Sequence, residues 1–225
     1  MSVEFLFAPV DQLDAWLAGT LDGAPLLVAL GLAVALGLRH ASDPDHLVAV
    51  TSLVAVRGGD ARAAARLGAW WGLGHAFTLL AIGLPLIAMG SELPAWLASG
   101  AEIAVGLVIV ALAGMVIWRW GRPGAARARR PARTWRQAFG IGLLHGVAGT
   151  GAVVLLLIAA LPTQLQAAVA LAAFAPMSVV SMAGLSGAFG WALTRPAIAP
   201  VYQQVLTPAL GAFALVFGLS YAGVA

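Results

Sequence analysis

The chain has no cysteine and no lysine, and only 9% of its 225 residues are charged. Without cysteine there is no disulfide framework, no thiolate metal ligand and no cysteine redox chemistry. Any metal here must be held by nitrogen, oxygen or thioether. With so little charge a conventional solvated surface cannot be built. What the chain has instead is 61% hydrophobic residues and a mean hydropathy of +0.95, the composition of an integral membrane protein. All its basic residues are arginine, a compositional bias, and they fall mostly in loops, where membrane topology accounts for them. The isoelectric point near 10.6 therefore points to no nucleic acid partner.

A membrane-crossing helix needs about 20 mostly apolar residues. The sequence divides into six such blocks, expected at about 25–56, 66–89, 96–118, 137–161, 166–194 and 201–224. The fold class expected is an all-α integral membrane protein with six transmembrane helices. Residues 1–23 carry Glu4, Asp11, Asp14 and Asp22 and no basic residue, so they read as an outer interfacial segment and not a secretory signal. A single transport domain follows over 24–225. Arg57, Arg62, Arg66, the seven arginines of 119–136 and Arg195 occupy alternate loops. Six crossings with both termini outside satisfy the positive-inside rule. The pattern G-L-x-H occurs as Gly37-Leu38-Arg39-His40 and again as Gly142-Leu143-Leu144-His145. Three crossings separate the copies, so a 3+3 inverted repeat is expected: repeat 1 about 24–118, a basic cytoplasmic loop 119–136, and repeat 2 about 137–225.

The first block contains five ionisable side chains, in Leu38-Arg39-His40-Ala41-Ser42-Asp43-Pro44-Asp45-His46. A charge near the centre of a membrane helix costs about 2.5–3.5 kcal/mol on insertion scales, so such a cluster implies pairing, a wet cavity or a ligand. Pro44 lacks an N–H and crowds the preceding turn, so helix 1 is expected to break there, with Asp43 capping the restart. On an ideal helix His40, Asp43 and His46 share one face with Arg39 beside them, and Asp45 joins only if the break swings it inward. Imidazole and carboxylate on one face suit a first-row divalent metal: nickel, cobalt, copper or zinc. All four histidines, His40, His46, His75 and His145, lie in expected spans. The metal candidates are thus His40, Asp43, Asp45, His46, His75 and His145, with Arg39 balancing charge and Thr78, Ser178 and Ser181 supporting from behind. The plainer alternative is an Arg39–Asp43 ion pair, with the histidines bonded to carbonyls freed by Pro44.

His40-Ala41-Ser42-Asp43-Pro44-Asp45-His46 resembles the H-x4-D-H signature of the nickel/cobalt transporter superfamily, and Leu73-Gly74-His75 resembles the L-G-H of its next helix. In the second half, Gly142-Leu143-Leu144-His145-Gly146-Val147-Ala148-Gly149-Thr150-Gly151 departs from the acidic motif of the classical members and looks like the UreH-type urease-accessory branch. The resemblance implies metal selection by His40, Asp45 and His46, with Asp43 and His75 next. It implies a permease and not an enzyme, moving Ni2+ or Co2+ as substrate across the bacterial inner membrane, with import as the expected direction. No permanently bound cofactor is expected; the partners would be the metal ion, the bilayer and a cytosolic metallochaperone. Two other classes fit parts of the pattern. Paired histidines on neighbouring helices also ligate haem in electron carriers. A metal-independent exporter of small amino acids or anions would use Arg39 and leave the histidines dispensable.

Overall fold

The computed structural model describes residues 26–43, 46–47, 49–50, 60–121 and 134–223. The expected interfacial segment, Pro44, Asp45 and most of the arginine loop lie outside the described residues. Among the described residues six main helices follow in order: α1 (Leu26–His40), α2 (Ala61–Met89), α3 (Ala95–Trp120), α4 (Trp135–Ala160), α5 (Gln164–Ala192) and α6 (Thr207–Tyr221). Among the described residues all regular structure is helical. Ala61–Met89, Ala95–Trp118, Gln164–Ala192 and Gln204–Tyr221 are long and apolar enough to cross a membrane, and α1 is a shorter apolar helix. The chain is an all-α, multi-pass membrane protein.

Local chemistry sets the helix ends. Asp60 is the N-cap of α2, its carboxylate accepting from the Ala63 N–H at 3.1 Å, so α2 begins five residues before the expected 66. It ends at Gly90, whose φ of 59° permits the left-handed turn that returns N–H groups to Leu86 and Ile87. Thr134 and Gln137 form a reciprocal capping box at the start of α4, and Thr163 caps α5. The last span is less regular than expected. A three-residue helical turn (Ala199–Val201) and a π-helical turn (Tyr202–Leu206) precede α6, and Pro208 at its start has no N–H to continue the ladder.

The interruption after α1 is visible in the backbone bonds on either side of Pro44. Ser42 N–H bonds Arg39 C=O at 2.8 Å and Asp43 N–H bonds His40 C=O at 3.1 Å, tight turns that close α1. The Leu47 N–H then bonds the Asp43 C=O at 2.9 Å, and helical backbone resumes through His46 and Leu47 to Ala49 and Val50. The Asp43 carbonyl thus accepts the first bond of the resumed helix, as an N-cap does.

The layout is centred on α2, which packs against both α4 and α5; α1 packs on α5, and α3 pairs with α6. Glycines set these contacts. A Cβ on Gly142 of α4 would strike the Trp71 carbonyl of α2, and one on Gly37 of α1 would strike the Phe174 carbonyl of α5. Gly74 lies equally close to the Phe139 carbonyl, and Gly68 to the Ser186 hydroxyl. The order of contacts gives the directions. Gly142 meets Trp71 and Gly146 meets Thr78, so α4 runs parallel to α2; Gly37 meets Phe174 and Ala41 meets Ser181, so α1 runs parallel to α5. Gly68 meets Ser186 and Gly72 meets Val179, so α2 and α5 are antiparallel, as are α3 and α6 through Gly106 to Gly218 and Gly211 to Ile117.

Two apolar layers follow. One joins Leu36 of α1 with Leu79, Ile87, Leu157, Leu171 and Phe174, from the C-terminal halves of α2 and α4 and the N-terminal half of α5. The other joins Val50 of the resumed helix with Leu67, Trp71, Ala138 and Met182, from the opposite halves of α2, α4 and α5. The histidines lie between them in the order of the chain.

Candidate metal centre

His40 is the last residue of α1, where the turns at Ser42 and Asp43 stop the helix. His46 sits in the resumed helix six residues on, and His75 projects from the middle of α2. One nitrogen of each of these three rings lies within 4.8 Å of the other two. His40 Nε2 and His75 Nε2 are 2.9 Å apart. Two imidazole nitrogens bound at about 2.1 Å and about 90° apart on one metal are separated by about 3.0 Å, so this pair already matches one edge of a coordination sphere. The His40 and His46 rings meet edge to face at 4.2 Å between centroids, and His46 and His75 at 5.2 Å. Relative exposures are 9% for His40, 2% for His46 and zero for His75, so the cluster is shut away from solvent.

Close helix approach makes this possible. Gly74 and Gly146, on either side of the α2–α4 contact, let the backbones come together at His75. Thr78 Oγ1, one turn beyond His75, lies 3.1 Å from both the Gly74 and Leu143 carbonyls and so ties α2 to α4. Ser181 Oγ accepts from the Ala41 N–H at 3.0 Å, which ties the end of α1 to α5. Ser178 is fully buried and donates to the Ala175 carbonyl in its own helix, at 2.7 Å. All three hydroxyls therefore hold backbone near the cluster.

Asp43 lies behind the His40 ring and not among the clustered nitrogens. Its Oδ2 is 3.0 Å from His40 Nδ1, and its Oδ1 is 3.4 Å from an Arg39 amino nitrogen. A carboxylate accepts only, so His40 carries its proton on Nδ1 and presents the Nε2 lone pair to the cluster. Without metal, His75 Nε2 is then the donor of the 2.9 Å contact. This is the carboxylate–histidine arrangement that orients ligating imidazoles. Arg39 and Asp43, about a quarter and a fifth exposed, form the wetter edge of the site. Asp45 lies outside the described residues.

His145, from α4, packs edge to face on His46 at 4.3 Å and lies 6.0 Å from His75 between centroids, but it does not belong to the group of three. Two aromatics flank the cluster: Phe174 meets His40 at 5.1 Å, and Trp71 meets His46 at 5.4 Å and His145 at 5.7 Å. Sequence reasoning singled out neither. A tryptophan or phenylalanine in an apolar span carries no signal that distinguishes a site wall from lipid-facing packing.

Among curated proteins, the chain is 26% identical over 213 residues to a urease accessory protein, UreH, from Bacillus sp. (strain TB-90); the match covers 89% of this chain and 93% of that protein. It is 30% identical over 131 residues to a high-affinity nickel transport protein of Cupriavidus necator, covering 53% of this chain and 37% of the relative. These relatives bear out the resemblance to the UreH-type branch of the nickel/cobalt transporters. No family model matches the chain, and no solved structure gives a significant match. The UreH match runs almost end to end in both proteins, so the likeness extends well beyond the histidine motifs.

Proposed function

We propose that this chain is a permease for a divalent first-row metal, Ni2+ foremost and Co2+ second, moved inward across the cytoplasmic membrane. The observation that carries this reading is the meeting of His40, His46 and His75 nitrogens within 4.8 Å in a buried, otherwise apolar part of a membrane protein. The two relatives support it, one named for nickel transport and the other as an accessory to urease. Three neutral imidazoles replace part of the metal's water shell, and Asp43 both aims His40 and lowers the cost of bringing a dication into a low-dielectric region. Arg39 balances Asp43 when the metal is absent. His145 stands next to the triad from the other half of the chain, placed to join when the helices shift, and Asp45 remains a candidate ligand from the motif. A cytosolic metallochaperone would receive the cargo.

We further read the architecture as six crossings in a 3+3 inverted repeat. Exchanging α1, α2 and α3 with α4, α5 and α6 maps the main contacts onto one another: α1 on α5 answers α4 on α2, both parallel, while the α2–α5 and α3–α6 pairs are each antiparallel. The glycines of the two G-L-x-H copies, Gly37 and Gly142, perform the same close contact in each half. Phe174 and Trp71 occupy matching places beneath them, as do Ser181 and Thr78, whose hydroxyls bond the backbones of α1 and α4 respectively. A site at the interface of such repeats suits alternating access.

Haem ligation fits poorly. Two histidines on opposite faces of one iron would be about 4 Å apart with the macrocycle between them, and the 2.9 Å separation of His40 and His75 leaves no room for it. The test is radiolabelled Ni2+ accumulation by cells lacking their own nickel importers, wild type beside His75→Ala. Accumulation that survives the substitution sinks the site; efflux in place of accumulation sinks the direction.

A further inference from the structure

The two apolar layers that seal the histidines are not chemically alike. In the layer containing Leu79, Leu171 and Phe174, and at the level of the cluster itself, buried hydroxyls are satisfied: the Thr78 O–H has two carbonyls within 3.1 Å to donate to, and Ser178 has one at 2.7 Å. The layer on the other side contains Trp71, whose Nε1 has no hydrogen-bond partner, and beside it, where α2 meets α5 at Gly68, Ser186 Oγ has none either. Trp71 is fully buried and Ser186 is 1% exposed. Gln166 Oε1, also unpartnered, lies in the first turn of α5 at the far end of the molecule. Buried polar groups are nearly always paired, with protein or with water. A donor that no protein group accepts from is therefore understood if water reaches it in another state.

The matching aromatic strengthens the point. Phe174 and Trp71 stand in equivalent positions against Gly37 and Gly142, one at each side of the histidines. Closing the first side needs only a ring. On the second side the ring carries an N–H that nothing in the closed seam uses. The seam itself is shut to contact: a Cβ on Gly68 would strike Ser186 Oγ and lie 2.6 Å from the Met182 carbonyl. Ser186 Oγ faces Gly68 where the first half of α2 meets the last half of α5, and Trp71 packs in the adjoining layer with Met182 of α5, so parting these halves opens a way to both. That end of the molecule carries Arg62, Arg66, Arg136 and Arg195.

We propose that the metal passes between the histidine cluster and the arginine-bearing end along the α2–α5 seam, with Trp71 as its plug, its Nε1 donating to water in the opened seam and Ser186 Oγ accepting from the hydrated ion. This rests on the reading of the cluster as a transport site. The waters around a dication turn their hydrogens outward, so the Ser186 hydroxyl oxygen can accept from them, while the donor-only indole N–H bonds the further water that fills the opened seam. Removing the N–H while keeping a ring should therefore favour the shut seam and slow passage without weakening capture at the histidines.

The absence of cysteine makes the route directly readable. Ser186→Cys and, as the control in the opposite layer, Ala170→Cys are each the only thiol in the full-length protein, reconstituted in lipid vesicles and treated with N-ethylmaleimide with and without a Ni2+ gradient. Thiolate, which forms where water reaches, adds to the maleimide double bond, so the thiol at 186 should react at least about tenfold faster than that at 170 and faster again during transport. Equal rates at the two positions overturn the route, even if Ni2+ is transported. Reactivity at 186 in a protein that binds no Ni2+ would retain the route and reject the cargo. Trp71→Phe gives an independent reading: the maximal Ni2+ rate should fall about tenfold, the size expected for one buried unpaired donor, while the half-saturating concentration does not rise. An unchanged maximal rate, or a loss confined to half-saturation, overturns the role of the indole.

Discussion

Replacing Asp43 by asparagine tests whether this carboxylate holds the metal or aims the histidine that does. In the structure its Oδ2 takes the His40 Nδ1 proton at 3.0 Å and its Oδ1 faces Arg39 at 3.4 Å. An asparagine amide is neutral and can turn its NH2 toward His40 Nδ1, which would move the ring proton to Nε2 and remove the lone pair from the cluster. Loss of such an orienting partner lowers metal affinity about 10- to 100-fold, or about 1.4–2.7 kcal/mol. His40→Ala removes the ligand itself and should lose at least about 100-fold. Because Asp43 acts through His40, the double variant should bind Ni2+ no worse than His40→Ala alone, so the two losses are strongly non-additive. Calorimetric Ni2+ titration of the detergent-purified protein measures all three. Fully additive losses would mean that Asp43 touches the metal directly and would refute the positioning role. Since Asp43→Asn also strands the Arg39 charge, Arg39→Gln with Asp43→Asn is the control; the affinity loss should persist there.

His75→Ala should abolish measurable Ni2+ binding, whereas His145→Ala, outside the group of three, should cost no more than about tenfold in the same titration; the reverse order would reassign the ligands. Gly142→Ala drives a Cβ into the Trp71 carbonyl and should destabilise the protein by about 1–3 kcal/mol in detergent melts, whereas Gly140→Ala, which meets nothing within 4 Å, should be neutral or slightly stabilising. Equal melting temperatures for the two would contradict the close α2–α4 packing. Thr78→Val loses the bond to Leu143 and should cost about 1 kcal/mol, with Thr78→Ser restoring it; a Thr78→Ser melt no better than that of Thr78→Val would show that the hydroxyl is not what counts.

Several features could be read from the chain alone because they are short-range. Apolar blocks of the right length gave helices close to their expected bounds from α3 through α5. The helix break was legible because proline's missing N–H is a property of one residue. Where bounds were missed, the signal was a cap or a proline: Asp60 extended α2 backward, and Pro208 delayed α6 behind a π turn. The candidate histidines could be chosen because charge and imidazole are rare in so apolar a chain. Which of them meet could not, since His75 is 35 residues from His40 and reaches it only through the packing of α1, α2 and α5.

The sequence by itself determined that this is a helical membrane protein with a polar break in its first span, four histidines within its apolar blocks and no thiol chemistry. These follow from composition and from spacing within single helices, where 3.6 residues per turn decides which side chains share a face. Only the tertiary structure decided that His40, His46 and His75 converge, that Asp43 lies behind His40, and that Trp71 and Phe174 wall the cluster on opposite sides. Those relations depend on how closely helices approach at Gly37, Gly74 and Gly142, and in an all-apolar chain the residue pattern does not encode which helix each glycine will meet.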